Sequence, residues 1–87
     1  MISVSNNSHP FDIAGTITDL IREQKHAEIH AHGAEAVSQA VKALVLATSY
    51  LNAEDIFVNC VAEYSSDLIE NGERTGIKIV VDPYYPH

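Results

Sequence analysis

The chain is poor in the residues that most often announce a chemistry. It holds one cysteine, no tryptophan, three prolines, four glycines and five lysines and arginines among 87 residues. One cysteine cannot close an intrachain disulfide, so nothing in the composition ties the chain to an oxidising compartment. Five basic residues against twelve acidic ones leave a formal charge of -7, and five histidines, all protonated, would bring it only to -2. Such a balance opposes any partner held mainly by phosphate charge, because that binding draws on counterions displaced by clustered Lys and Arg. The longest wholly apolar run, Ala43 to Ala47, is far too short to span a bilayer, so no membrane partner is expected. The start, Met1-Ile2-Ser3-Val4-Ser5, has neither the basic residues nor the apolar stretch of a signal peptide, which predicts a cytoplasmic protein. No nucleophile elbow, phosphate-binding loop or pair of catalytic carboxylates is present, so neither catalysis nor a cofactor is expected.

What is there is enough for one small globular domain. The composition is 46% hydrophobic and 20% charged, and a chain this short should bury about 60% of its unfolded surface. Ile2 and Val4 alternate with Ser3 and Ser5, which predicts a first strand. Ser8 is a suitable N-cap with Pro10 in the first turn, and Ile13, Ile17, Leu20 and Ile21 recur at helical spacing from about residue 9 to 24. Gly15 in that helix is expected to permit close packing against a sheet. Ala27, Ile29 and Ala31 alternate with Glu28, His30 and His32, a second strand that Gly33 breaks. A second helix follows from Ala34 to about Leu51, with Val37, Ala40, Val41, Leu44, Thr48 and Leu51 as the expected buried stripe. Ile56 to Glu63 and Gly76 to Asp82 read as two further strands, joined through a polar stretch with Asn71-Gly72 as its turn. The prolines of residues 83–87 predict a short C-terminal tail outside regular structure. No repeat or low-complexity segment appears.

The order is β-α-β-α-β-β. Right-handed crossovers moving the same way across the sheet would put both helices on one face and leave the other bare. The predicted class is therefore α/β in the sense of an α+β two-layer sandwich: a four-stranded mixed sheet with two helices on one face, in a single domain over residues 1–87.

These segments together resemble the stage V sporulation protein S family. The resemblance is carried by Ile13-Ala14-Gly15, Leu20-Ile21-Arg22-Glu23, Ala27-Glu28-Ile29, Ser38-Gln39-Ala40-Val41-Lys42-Ala43, and Gly72-Glu73-Arg74-Thr75 followed by Ile77-Lys78. It implies an Alba-like fold with sheet order 1-2-4-3, self-association, a role in bacterial sporulation or cell development, and nucleic-acid binding. The chain departs from the Alba pattern at its basic positions. It has Asn6-Asn7-Ser8-His9 after the first strand, Gly33, Glu35 and Gln39 at the second helix, and three acids without a base from Ser65 to Glu73.

Individual residues refine the picture. Glu28, His30 and His32 point the same way along one strand, an arrangement that can hold zinc. With no fourth ligand in view they are read as a polar sheet face, no metal is expected, and Glu28 could pair with Lys78 on the neighbouring strand. Cys60, between Asn59 and Val61, is expected to be a buried core thiol. Lys42, Arg74 and Lys78, with help from Arg22 or Lys25, are the residues available for a nucleic-acid backbone. Phe57, Val61 and Val80 are expected to share the bare sheet face as an interface, and Tyr84 and Tyr85 could stack on bases or pack on a partner. The reading that results is a non-enzymatic regulatory module, a homo-oligomer that binds nucleic acid weakly. The alternative is a protein-protein interaction adaptor that binds no nucleic acid.

Overall fold

The structure is a computed structural model that describes residues 1–65 and 76–84, together with the backbone at 69–70 and 73–74. Strand β1 (Ile2–Val4) leads through a turn to helix α1 (Pro10–Gln24), then come β2 (Ala27–His32), α2 (Ala34–Asn52) and β3 (Phe57–Tyr64). The short strands β4 (Ile69–Glu70) and β5 (Glu73–Arg74) pair with one another, and β6 (Gly76–Tyr84) follows. The Asn71-Gly72 turn lies outside the described residues, as does Tyr85 with the rest of the tail.

The main sheet has the order β1-β2-β6-β3, which is the predicted 1-2-4-3 once the β4–β5 ladder is set aside. β1 runs parallel to β2, while β6 lies antiparallel to both β2 and β3. This is the mixed sheet and two-layer α+β architecture that the pattern predicts. One face carries Val4, Ala27, Ile29, Ala31, Ile79 and Val81, all buried beneath the two helices.

Helix α1 contributes Ile13, Ala14, Ile17, Thr18 and Ile21 to that core, close to the predicted stripe. It opens with His9 at the N-cap position and Pro10 behind it, one residue later than predicted. Ser8 is used otherwise: its Oγ accepts the Ser5 N–H at 3.0 Å and closes the preceding turn. Gly15 faces open space, with nothing within 4 Å of where a Cβ would stand, so close packing is not its reason. Helix α2 buries Ala36, Ala40, Ala43, Ala47 and Leu51, so Ala40 and Leu51 of the predicted stripe are core, Val37 and Leu44 pack against it half-buried, and Val41 does not belong to it. Alanines let the two helices and the sheet approach closely, and this turns Val41 outward to 47% exposure. Gly33 makes the strand-to-helix corner with φ 93 and ψ 158, a conformation open essentially to glycine alone.

Two expectations about the C-terminal half need correction. β6 continues through Pro83 and Tyr84, where β3 still pairs with it, so the tail does not begin at residue 83. Beyond Val81 strand β2 has ended, and a proline with no N–H is tolerated where a strand has lost one neighbour. Cys60 is exposed and not part of the core, because the helical layer covers only the start of β3, where Val58 packs against it.

Candidate functional site

The uncovered face of the sheet brings together the residues that could serve an interaction. Cross-strand register defines its rows. Phe57 lies opposite Tyr84, Asn59 opposite Asp82, Val61 opposite Val80 and Glu63 opposite Lys78. One strand further, Val80 lies opposite Glu28 and Lys78 opposite His30, with Ser3 beyond His30. Side chains opposite one another in a ladder share a face, so Phe57, Val61 and Val80 do sit together as the alternation predicts. The Phe57 and Tyr84 rings extend the apolar area, with centroids 6.2 Å apart and planes inclined at 42°. Val61, on the edge strand β3, is 61% exposed.

An ion pair and two histidine–carboxylate contacts flank this apolar strip. Lys78 Nζ reaches Glu63 at 2.9 Å, His30 Nε2 contacts Glu28 Oε1 at 2.8 Å, and His26 Nδ1 contacts Asp82 Oδ1 at 2.6 Å. Glu28 takes its hydrogen bond from His30 on its own strand and feels the charge of Lys78, as expected, while Lys78 also pairs with Glu63. The hydrogen bond from His30 holds the Glu28 carboxyl below the usual carboxylate range, and the charges of Lys78 and His26 act in the same direction. Among the described residues no three of His, Cys, Asp and Glu come together as a metal site.

The residues proposed for nucleic acid are not brought together. Lys42 is exposed on α2 in the helical layer, while Lys78 projects from the opposite side of the sheet. The Arg74 side chain lies outside the described residues. Arg22 is committed elsewhere: its Nε donates to both Glu54 carboxylate oxygens at 3.0 and 3.1 Å, its Nη2 pairs with the same group, and Nη1 reaches Asp19 at 3.4 Å. That contact raises the Arg22 pKa and lowers that of Glu54. Lys25 Nζ donates to the Arg22 carbonyl at 3.0 Å and closes the end of α1.

Two features escaped the sequence reading. One is an apolar groove of about 380 Å³ between the start of α1 and the outer side of α2, lined by Pro10, Phe11, Val41, Lys42, Val45 and Leu46. The other is the exposure of β3 on both faces. Its helix-side positions are Val58, Cys60, Ala62 and Tyr64, and Tyr64 is 62% exposed. That row holds no Leu, Ile or Phe, and this was the available signal that no helix covers it beyond Val58. Partial desolvation raises the Cys60 pKa, so the exposed thiol is not activated as a nucleophile. Among the described residues no helix is long and apolar enough to cross a membrane.

The family model described as Stage V sporulation protein S (SpoVS) matches residues 1–84. The match spans both helices and every strand of the main sheet, so it covers the whole framework that presents the bare face. With a match of that extent, the chain belongs to the stage V sporulation protein S family.

Proposed function

We propose that the chain is a non-enzymatic, Alba-like regulatory module of sporulation that works by protein association through the bare face of its sheet. Family membership supports the sporulation-related role. The observation that carries the rest is the strip of Phe57, Val61, Val80 and Tyr84, flanked by charges that are already paired within the chain. Apolar side chains on an uncovered sheet face gain by excluding water against a partner. Polar neighbours that satisfy one another lower the cost of drying that surface. A weak contact with nucleic acid is the second reading, favoured by Lys42, which is exposed on α2 and holds no hydrogen bond or ion pair among the described residues. The scattered cations and the charge of -7 weigh against it.

Val80→Glu puts a charge in the middle of the strip, on a strand flanked by neighbours on both sides. In a strain whose only copy carries this change, spore yield is expected to fall toward that of a deletion, while circular dichroism shows the purified chain still folded and its urea midpoint falls only by the cost of a second carboxylate opposite Glu28. Normal spore yield from a folded Val80→Glu protein would refute the reading.

A further inference from the structure

The sheet has two edges of very different character. One is β1, with three residues. The other is β3, with eight residues, and among the described residues no strand pairs with its outer side. Long edge strands are normally protected against pairing by lysine, proline, a bulge or a covering helix. The sequence of β3, Phe57 to Tyr64, contains no lysine and no proline. Its register with β6 is unbroken from Phe57–Tyr84 to Tyr64–Ile77, so it carries no bulge. From Asn59 to Tyr64 its residues are exposed, so among the described residues no element covers that part of it.

We propose that this edge is a self-association site: β3 pairs antiparallel with β3 of a second copy, about a two-fold axis that passes through Val61. A two-fold perpendicular to the sheet keeps the helices of both copies on one side, and residues facing each other must then come from the same sheet face. That condition allows only registers centred on a residue. Centring on Glu63 would set two carboxylates opposite one another, and centring on Asn59 would pair only residues 57–61 of the eight-residue strand. Centring on Cys60 would place Glu63 opposite Phe57, and centring on Ala62 would place it opposite Val61. Centring on Val61 pairs valine with valine, Tyr64 with Val58, Cys60 with Ala62, and Glu63 with Asn59. The Asn59 amide can donate to the carboxylate that Lys78 already holds from the other side. Of the two registers that pair seven residues of β3, those centred on Cys60 and on Val61, only the second leaves no carboxylate against an apolar or acidic partner. The proposal goes beyond the functional reading above, which needs the sheet face and not its edge.

Cysteine crosslinking tests both the pairing and its register. Directly opposed residues have Cα atoms about 4.5–5.5 Å apart, within disulfide reach, whereas diagonal neighbours are about 7–8 Å apart and outside it. In the full chain, Cys60→Ser with Val61→Cys should oxidise almost completely to a covalent dimer at micromolar concentration. The wild-type chain, whose Cys60 faces alanine, should crosslink at least about tenfold more slowly, since its thiols lie on the diagonal. Val61→Lys sets two like charges on the axis and should raise the dimer dissociation constant at least about tenfold by sedimentation, with the circular dichroism spectrum unchanged. Faster crosslinking through Cys60 than through position 61 would overturn the register. A clean monomer, or a dimer that Val61→Cys fails to trap, would overturn the edge pairing. The second of those results would leave association through the bare face intact.

Discussion

At the scale of single residues, the two glycines of the α1–β2–α2 stretch act in opposite ways, although both looked structural in the sequence. Gly15 sits in mid-helix beside open space. Gly15→Ala should therefore raise stability by about 0.5–1 kcal/mol, the helix-propensity difference, without displacing anything. Gly33 has φ 93, and Gly33→Ala should cost about 1–3 kcal/mol through backbone strain alone. Urea denaturation of the two variants gives both numbers, and a stabilised Gly33→Ala would contradict the strained corner. No pattern could have separated these cases, since each depends on what lies beyond the glycine in space. Acid behaviour also belongs to this scale. Glu28 and Glu54 have folded pKa values below their ordinary one, because His30 and Arg22 respectively hydrogen-bond the carboxylate. Each contributes stability that is present above the unfolded value, about 4.3, and is lost as pH falls through the folded value. Replacing both by glutamine should make the fall in urea midpoint below about pH 4.5 shallower. An unchanged acid profile in the double variant would remove these pairs from the account.

At the scale of elements, the legible parts were those whose burial follows from their own periodicity. Ile13, Ile17 and Ile21 of α1 are core, and the alternation in β2 sorts Ala27, Ile29 and Ala31 from Glu28, His30 and His32 as expected. The stripe of helix α2 was read correctly at Ala40 and Leu51 but wrongly at Val41, because hydrophobicity favours valine over alanine while the space available favoured alanine. Its inner side is Ala36, Ala40, Ala43 and Ala47, a row selected by closeness and not by apolar area. Enlarging it should hurt: Ala43→Leu is expected to destabilise by about 1–3 kcal/mol through overpacking, measured by thermal or urea unfolding. Val45→Leu on the exposed side should be near neutral, and equal effects of the two would mean that the helix is rotated from its described position. The face shared by Phe57, Val61 and Val80 was legible from parity alone. The exposure of Cys60 was not, because it depends on how far the helical layer reaches across the sheet.

At the scale of the whole molecule, charge placement matters more than charge count. The described cations are spread over two layers, and Arg22, Lys25 and Lys78 already hold local partners. Fluorescence anisotropy with duplex and single-stranded probes should accordingly show no binding tighter than about micromolar at physiological salt. Nanomolar binding that Lys42→Ala abolishes would show that a single local patch outweighs the net charge. The strand order has a further consequence, in time instead of space. β6 is the last strand in sequence but lies between β2 and β3, and it supplies Ile79 and Val81 to the core. During synthesis, β3 therefore emerges before the only strand it pairs with in the main sheet. A nascent chain halted before residue 76 holds two helices, a β1–β2 pair and an orphan strand, with a gap where the sheet should close. Cooperative folding of this domain needs residues 76–84, so a chain cut before residue 76 would stay in its most sticky form.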